Sequence, residues 1–73
     1  MIANFNLKNA RKSKGFTQKQ VSIFLGISER SYQRYESGAH EFNFETLIKL
    51  ADYFDCSIDY ILGRTDNPNS HKL

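Results

Sequence analysis

Apolar residues along this chain recur at i, i+3 and i+4 and never alternate with polar ones for long, so the pattern predicts helices and no strand. A first helix runs from about Asn6 to Lys14 and stops at Gly15, a residue suited to a left-handed C-terminal position. Leu7 and Ala10 face inward, Phe5 joins them, and Arg11 lies at the margin of that stripe. Thr17 caps a second helix, and Gln20, three residues on, completes a capping box. In that helix Val21 and Leu25 point inward, and Ser22 is small where two helices cross closely. Gly26 ends it, Ile27 plugs the corner, and Ser28 caps a third helix over residues 29–37, with Gly38 beyond.

The third helix separates two faces. At about 100° per residue, Ser31, Tyr32 and Tyr35 cluster inward, while Glu29, Arg30, Gln33, Arg34 and Ser37 spread over the other side. The link AHEF leads to Asn43, the N-cap of a fourth helix expected to bury Phe44, Leu47, Ile48, Ala51 and Phe54. Ser57 caps a short fifth helix, IDYIL, which stops at Gly63. Residues 64–73 are polar, hold the only proline and show no apolar period, so they read as a flexible tail behind a domain of residues 1–63.

Composition narrows the class. Seventy-three residues make one small domain, and ten Phe or Tyr residues supply a core without staples. The single cysteine, Cys56, excludes an intrachain disulfide and a cysteine-based metal cluster; it reads as a small buried residue. His40 and His71 stand apart without acidic company, so no metal and no cofactor are expected. No apolar run approaches the roughly 20 residues that span a bilayer, and the N-terminus lacks a signal-peptide pattern, so a cytoplasmic protein with no membrane partner is the default.

The formal charge of +2 conceals an asymmetry: residues 1–34 carry a net of +6 and residues 35–62 a net of −5. One half suits a polyanion and the other repels it, although an ordinary mixed surface reads the same way on charge alone. The outward set on the third helix adds chemistry. Arg grips guanine O6 and N7, Gln pairs with adenine, and Glu accepts from cytosine N4, so Glu29, Arg30, Gln33 and Arg34 are the side-chain types that read a major groove. An enzyme is not expected, because the chain shows no nucleophile–base pair, no phosphate-cradling glycine loop and no enclosed carboxylate pair.

The KGFTQ opening of the second helix, the LGIS turn, the RYESG end of the third and the closing SIDYILG together resemble the Cro/C1-type (XRE) helix-turn-helix regulators. The resemblance covers residues 7–63 and implies an all-α, five-helix bundle of the lambda-repressor-like type, with helices two and three as the helix-turn-helix. It implies a sequence-specific regulator of transcription, expected to be a repressor with activation left open, that binds a near-palindromic double-stranded DNA operator as a homodimer. Carried over by residue, Glu29, Arg30, Gln33 and Arg34 match base-contacting positions. Gln18 matches a phosphate-contacting one, Lys19, Ser28 and Ser37 are expected to add backbone contacts, and Arg11 with Glu36 matches an internal ion pair.

Two departures from the family stand out. Ala39, His40, Glu41 and Phe42 replace the basic residues and proline that often follow the third helix, which weakens phosphate contacts from that loop. Ile23 and Phe24 occupy positions usually polar, and are either extra core or an exposed patch. Tyr53, off the stripe of the fourth helix, is either an exposed aromatic or part of a dimer interface. Lys8, Lys12, Lys14 and Lys19 serve solubility or touch phosphate. The alternative reading is a protein-interaction module on the same fold, an antitoxin-like or anti-repressor protein with a regulatory protein partner; a further one is a non-specific nucleoid binder, which Glu29 and Gln33 argue against.

Overall fold

A computed structural model describes residues 6–69. It contains helices α1 (Leu7–Ser13), α2 (Gln18–Leu25), α3 (Glu29–Ser37), α4 (Phe44–Phe54) and α5 (Ile58–Ile61), and the described residues include no strand. The expected inward position of Phe5 falls outside the described residues.

The four helices that follow α1 start the same way. Thr17, Ser28, Asn43 and Ser57 hold extended backbone, and each side-chain oxygen accepts from the amide three residues on. Each cap satisfies one of the amides that a helix start leaves without a partner. At Thr17 the box is complete, because the Thr17 amide donates to Gln20 Oε1 at 2.8 Å. Asn6, before α1, acts differently: its side-chain amide donates to Tyr60 O at 2.9 Å and ties the start of α1 to the end of α5. Residues 64–69 also turn back to this corner, where the Ser57 amide donates to Pro68 O at 2.7 Å.

Leu7, Ala10, Val21, Tyr32, Leu47, Leu50, Ala51, Phe54, Cys56 and Ile61 form the core. Two expectations for the fourth helix fail. Phe44 is 73% exposed and Ile48 38%, while Leu50, absent from the expected stripe, is fully buried. The buried stripe is Leu47, Leu50, Ala51 and Phe54, rotated by about 50° from the expected one at the 100° helical step. A ring stack explains the rotation. Tyr53 lies between Phe16, at a centroid distance of 4.6 Å, and Phe24, at 3.9 Å, with both pairs nearly parallel. This contact draws the Leu50–Tyr53 flank of α4 toward α2 and turns Phe44 and Ile48 out to solvent.

The same stack answers the open question for α2 and sets the exposure of Tyr53 on α4. Tyr53 is half-buried under Phe24 rather than free-standing. Phe24 remains 46% exposed as the outer ring, and Ile23 is 69% exposed. Neither is core.

Candidate nucleic-acid interface

The corner between α2 and α3 is a backbone construction. Gly26 takes φ +72°, which lets the Gly26 amide reach Ile23 O at 3.1 Å and the Ile27 amide reach Ser22 O at 3.0 Å. A residue with a Cβ adopts that conformation at a cost of about 1–2 kcal/mol. Ser22 is buried at the crossing, its hydroxyl donating to Lys19 O at 2.7 Å, so a close approach leaves no polar atom stranded. Ile27 packs against the core from the turn, and Ser28 Oγ receives the Ser31 amide at 3.0 Å.

Tyr32 is the fully buried side chain of α3, and Tyr35 is half-buried behind it. Tyr35 also carries the following loop: Phe42 stacks on its face at 5.0 Å and His40 meets it edge-on at 5.3 Å. With the inner face so held, Glu29, Arg30, Gln33, Arg34 and Ser37 are all exposed on the opposite side. Lys19 and Ser28 are exposed beside them, and Gln18 is half-buried where α2 meets α3. Ser37 is partly engaged, its hydroxyl donating to Arg34 O at 3.1 Å.

Arg11 and Glu36 form an ion pair beneath this surface. Arg11 Nε donates to Glu36 Oε2 at 2.6 Å, and the two side chains are 9% and 6% exposed. Arg11 Nη1 also donates to Phe16 O at 2.8 Å, which fastens the end of α1 to the start of α2. Burial pushes the Glu36 carboxyl up, but hydrogen bonds from Arg11 and Gln18, with the Tyr32 hydroxyl nearby, outweigh it and hold the group below the ordinary carboxylate range. The Glu36 hydrogen bond outweighs desolvation at Arg11 and raises its guanidinium. The Tyr32 hydroxyl is buried against this pair without a partner in proper hydrogen-bonding geometry, so it acts on Glu36 as a neighbouring dipole. Burial pushes the Tyr32 phenol up, so it stays protonated.

One contact had no signal in the sequence. Gln18 Nε2 donates to Glu36 Oε1 at 3.0 Å, and Gln33 Nε2 donates to Gln18 Oε1 at 3.3 Å. The two glutamines are 15 residues apart and meet only because α2 and α3 cross. Nothing periodic or motif-like marks such a pair in advance.

Among the described residues no group of histidine, cysteine and acidic side chains could hold a metal ion, and no helix is long and apolar enough to cross a membrane.

Comparison with known proteins places this arrangement. A helix-turn-helix family profile matches residues 7–61. The chain is similar to YqaE of Bacillus subtilis (strain 168), named an uncharacterized HTH-type transcriptional regulator, with 40% identity over 62 residues that cover 85% of this chain and 53% of that protein. It is similar to RstR of Vibrio cholerae serotype O1, named the cryptic phage CTXphi transcriptional repressor, with 40% identity over 67 residues that cover 92% of this chain and 60% of that one. YonR of Bacillus subtilis (strain 168), named an SPbeta prophage-derived uncharacterized HTH-type transcriptional regulator, is 41% identical over 59 residues, 81% of this chain and 55% of its own. No solved structure matches. The chain thus spans little more than half the length of these relatives, which are named as regulators and not as enzymes. From the matched span, the glycine-hinged corner and the five-helix order together, the chain belongs to the Cro/C1-type helix-turn-helix family.

Proposed function

We propose that this chain is a sequence-specific regulator of transcription that binds double-stranded DNA and acts as a repressor. The observation that carries the reading is the exposed row of Glu29, Arg30, Gln33 and Arg34 on a helix whose other side is buried by Tyr32. In this reading α3 enters the major groove, and those four side chains meet base edges. Gln18, Lys19, Ser28 and Ser37 surround the row and face the phosphates, which fix register without reading sequence. The positive stretch of residues 1–34 supplies α2 and most of α3, so the phosphate field favours this orientation. Repression follows the relative named as a repressor, RstR.

Two copies on a near-palindrome complete the proposal. The described residues extend 30 × 26 × 21 Å. Half-sites one helical turn apart lie about 34 Å centre to centre, so two molecules fit side by side on one face of the duplex. Function inside the cytoplasm accompanies this reading.

Exposed Ile23, Phe44 and Ile48 favour a second reading, in which the same fold docks on a protein partner as an antitoxin-like or anti-repressor module. A mobility shift with duplexes selected from a random pool separates the two. The regulator binds a selected sequence tightly, and the Arg30→Ala, Arg34→Ala double variant loses about 100-fold or more at roughly 1–3 kcal/mol per contact. Absence of binding to every duplex ends the proposal and leaves the partner-docking reading.

A further inference from the structure

A row of hydrogen bonds leads from the interior to the reading face, and its chemistry has a direction. Arg11 carries only donors, and ionised Glu36 only acceptors. Arg11 donates to Glu36 through Nε at 2.6 Å and Nη2 at 3.4 Å. Whatever else touches Glu36 Oε1 must also donate, and Gln18 does so through Nε2 at 3.0 Å. That contact fixes the Gln18 amide, because its Oε1 then points away from Glu36 and can only accept. Gln33 Nε2 donates to it at 3.3 Å. The sense of both amides is therefore set by a buried anion rather than by the near-equivalence of amide oxygen and nitrogen.

Gln33 is exposed, so its amide is left with Oε1 and a second Nε2 hydrogen for a ligand. An acceptor beside a donor matches adenine, whose N6 donates and whose N7 accepts in the major groove. Guanine presents two acceptors there, and Oε1 opposes one of them. We infer that Gln18 is a positioning residue through which the Arg11–Glu36 pair holds Gln33 as a reader of adenine. The inference rests on the major-groove reading of α3; it adds which base Gln33 selects and which interior contact makes the selection.

Sequences selected by the wild-type chain and by Gln33→Ala locate the base pair that Gln33 faces, as the position whose preference relaxes in the variant. Adenine is expected there, favoured about tenfold in competition mobility shifts. Gln18→Met keeps the side-chain length and removes both hydrogen bonds. It is expected to lose the adenine preference while preferences at the remaining positions stay as in the wild type; a lowered circular-dichroism melt reports only the lost bond to Glu36. Gln18→Ala, read on the same base ratio, serves as the second variant. Retention of the adenine preference in both Gln18 variants overturns the inference, even if affinity for all duplexes drops, and so does any base other than adenine at the Gln33 position. A wild-type chain that selects no sequence overturns the proposed function itself, a result distinct from either.

Discussion

Helices α3 and α4 each begin at a polar N-cap and end in a left-handed residue, Gly38 and Asp55, yet they are held to the body by different means. α4 buries four apolar side chains and carries its place in the fold through them. α3 fully buries only Tyr32; its second anchor is Glu36, a charge held by Arg11 from α1 and by Gln18 from α2. Apolar packing places a helix through the shape of its neighbours and has no bond direction of its own. A bidentate ion pair has direction, so it sets the roll of the helix about its own axis. The helix proposed to read bases is the one fixed by direction, and the helix that fills the core is the one whose outer flank shows Phe44 and Ile48 to water.

The largest expected effects test the two anchors against each other. Glu36→Ala leaves Arg11 as a buried unpaired charge and is expected to destabilise by about 3–5 kcal/mol. Leu50→Ala, at a fully buried site of α4, is expected to cost about 2–5 kcal/mol. Urea titrations measure both, and only the first is expected to depend on acidity. The Glu36 carboxyl is held below its ordinary range, so its contribution is complete above the unfolded value near 4.3 and fades as pH falls through the lower folded value. The stability gap between wild type and Glu36→Gln should therefore narrow between pH 7 and pH 3, while the gap for Leu50→Ala should not. A Glu36→Gln gap that is flat with pH would remove directional anchoring from the contrast.

A smaller effect belongs to the turn that launches α3. Gly26→Ala meets no atom within 4 Å, so its penalty is the left-handed backbone alone, about 1–2 kcal/mol. Thermal unfolding should register a loss of roughly 4–8 °C per kcal/mol for a domain this small. The smallest effect lies on the outer flank of α4. Phe44→Ala is expected to change stability by less than about 0.5 kcal/mol, since the ring is largely in water. A loss comparable to that of Leu50→Ala would show that Phe44 is covered in solution and would return α4 to the stripe its sequence suggests.

How far the sequence could be read depended on whether local or distant contacts decide. The caps at Thr17, Ser28, Asn43 and Ser57 and the break at Gly26 are legible because a cap involves only the next three residues and a left-handed glycine only itself. The separation of Tyr32 from Arg30 and Arg34 is legible for the same reason, since helical pitch alone produces it. The face of α4 was misjudged because Phe44, Ile48 and Leu50 are equally apolar, and the choice among them is made by Phe16 and Phe24 stacking on Tyr53 from outside the helix. The Gln18–Gln33 contact was illegible because each glutamine also reads as an ordinary exposed residue; only the crossing of α2 and α3 brings them together.

The corner built by Asn6, Ser57 and Pro68 has a practical consequence. The first and last described stretches meet beside α5, whose principal neighbours are α1 and α4. Asn6 Nδ2 also approaches Thr65 O at 3.5 Å, so the first described residue is tied both to α5 and to the stretch that follows it. A change at Asn6, Ser57 or Pro68 is thus expected to loosen both ends of the described span together.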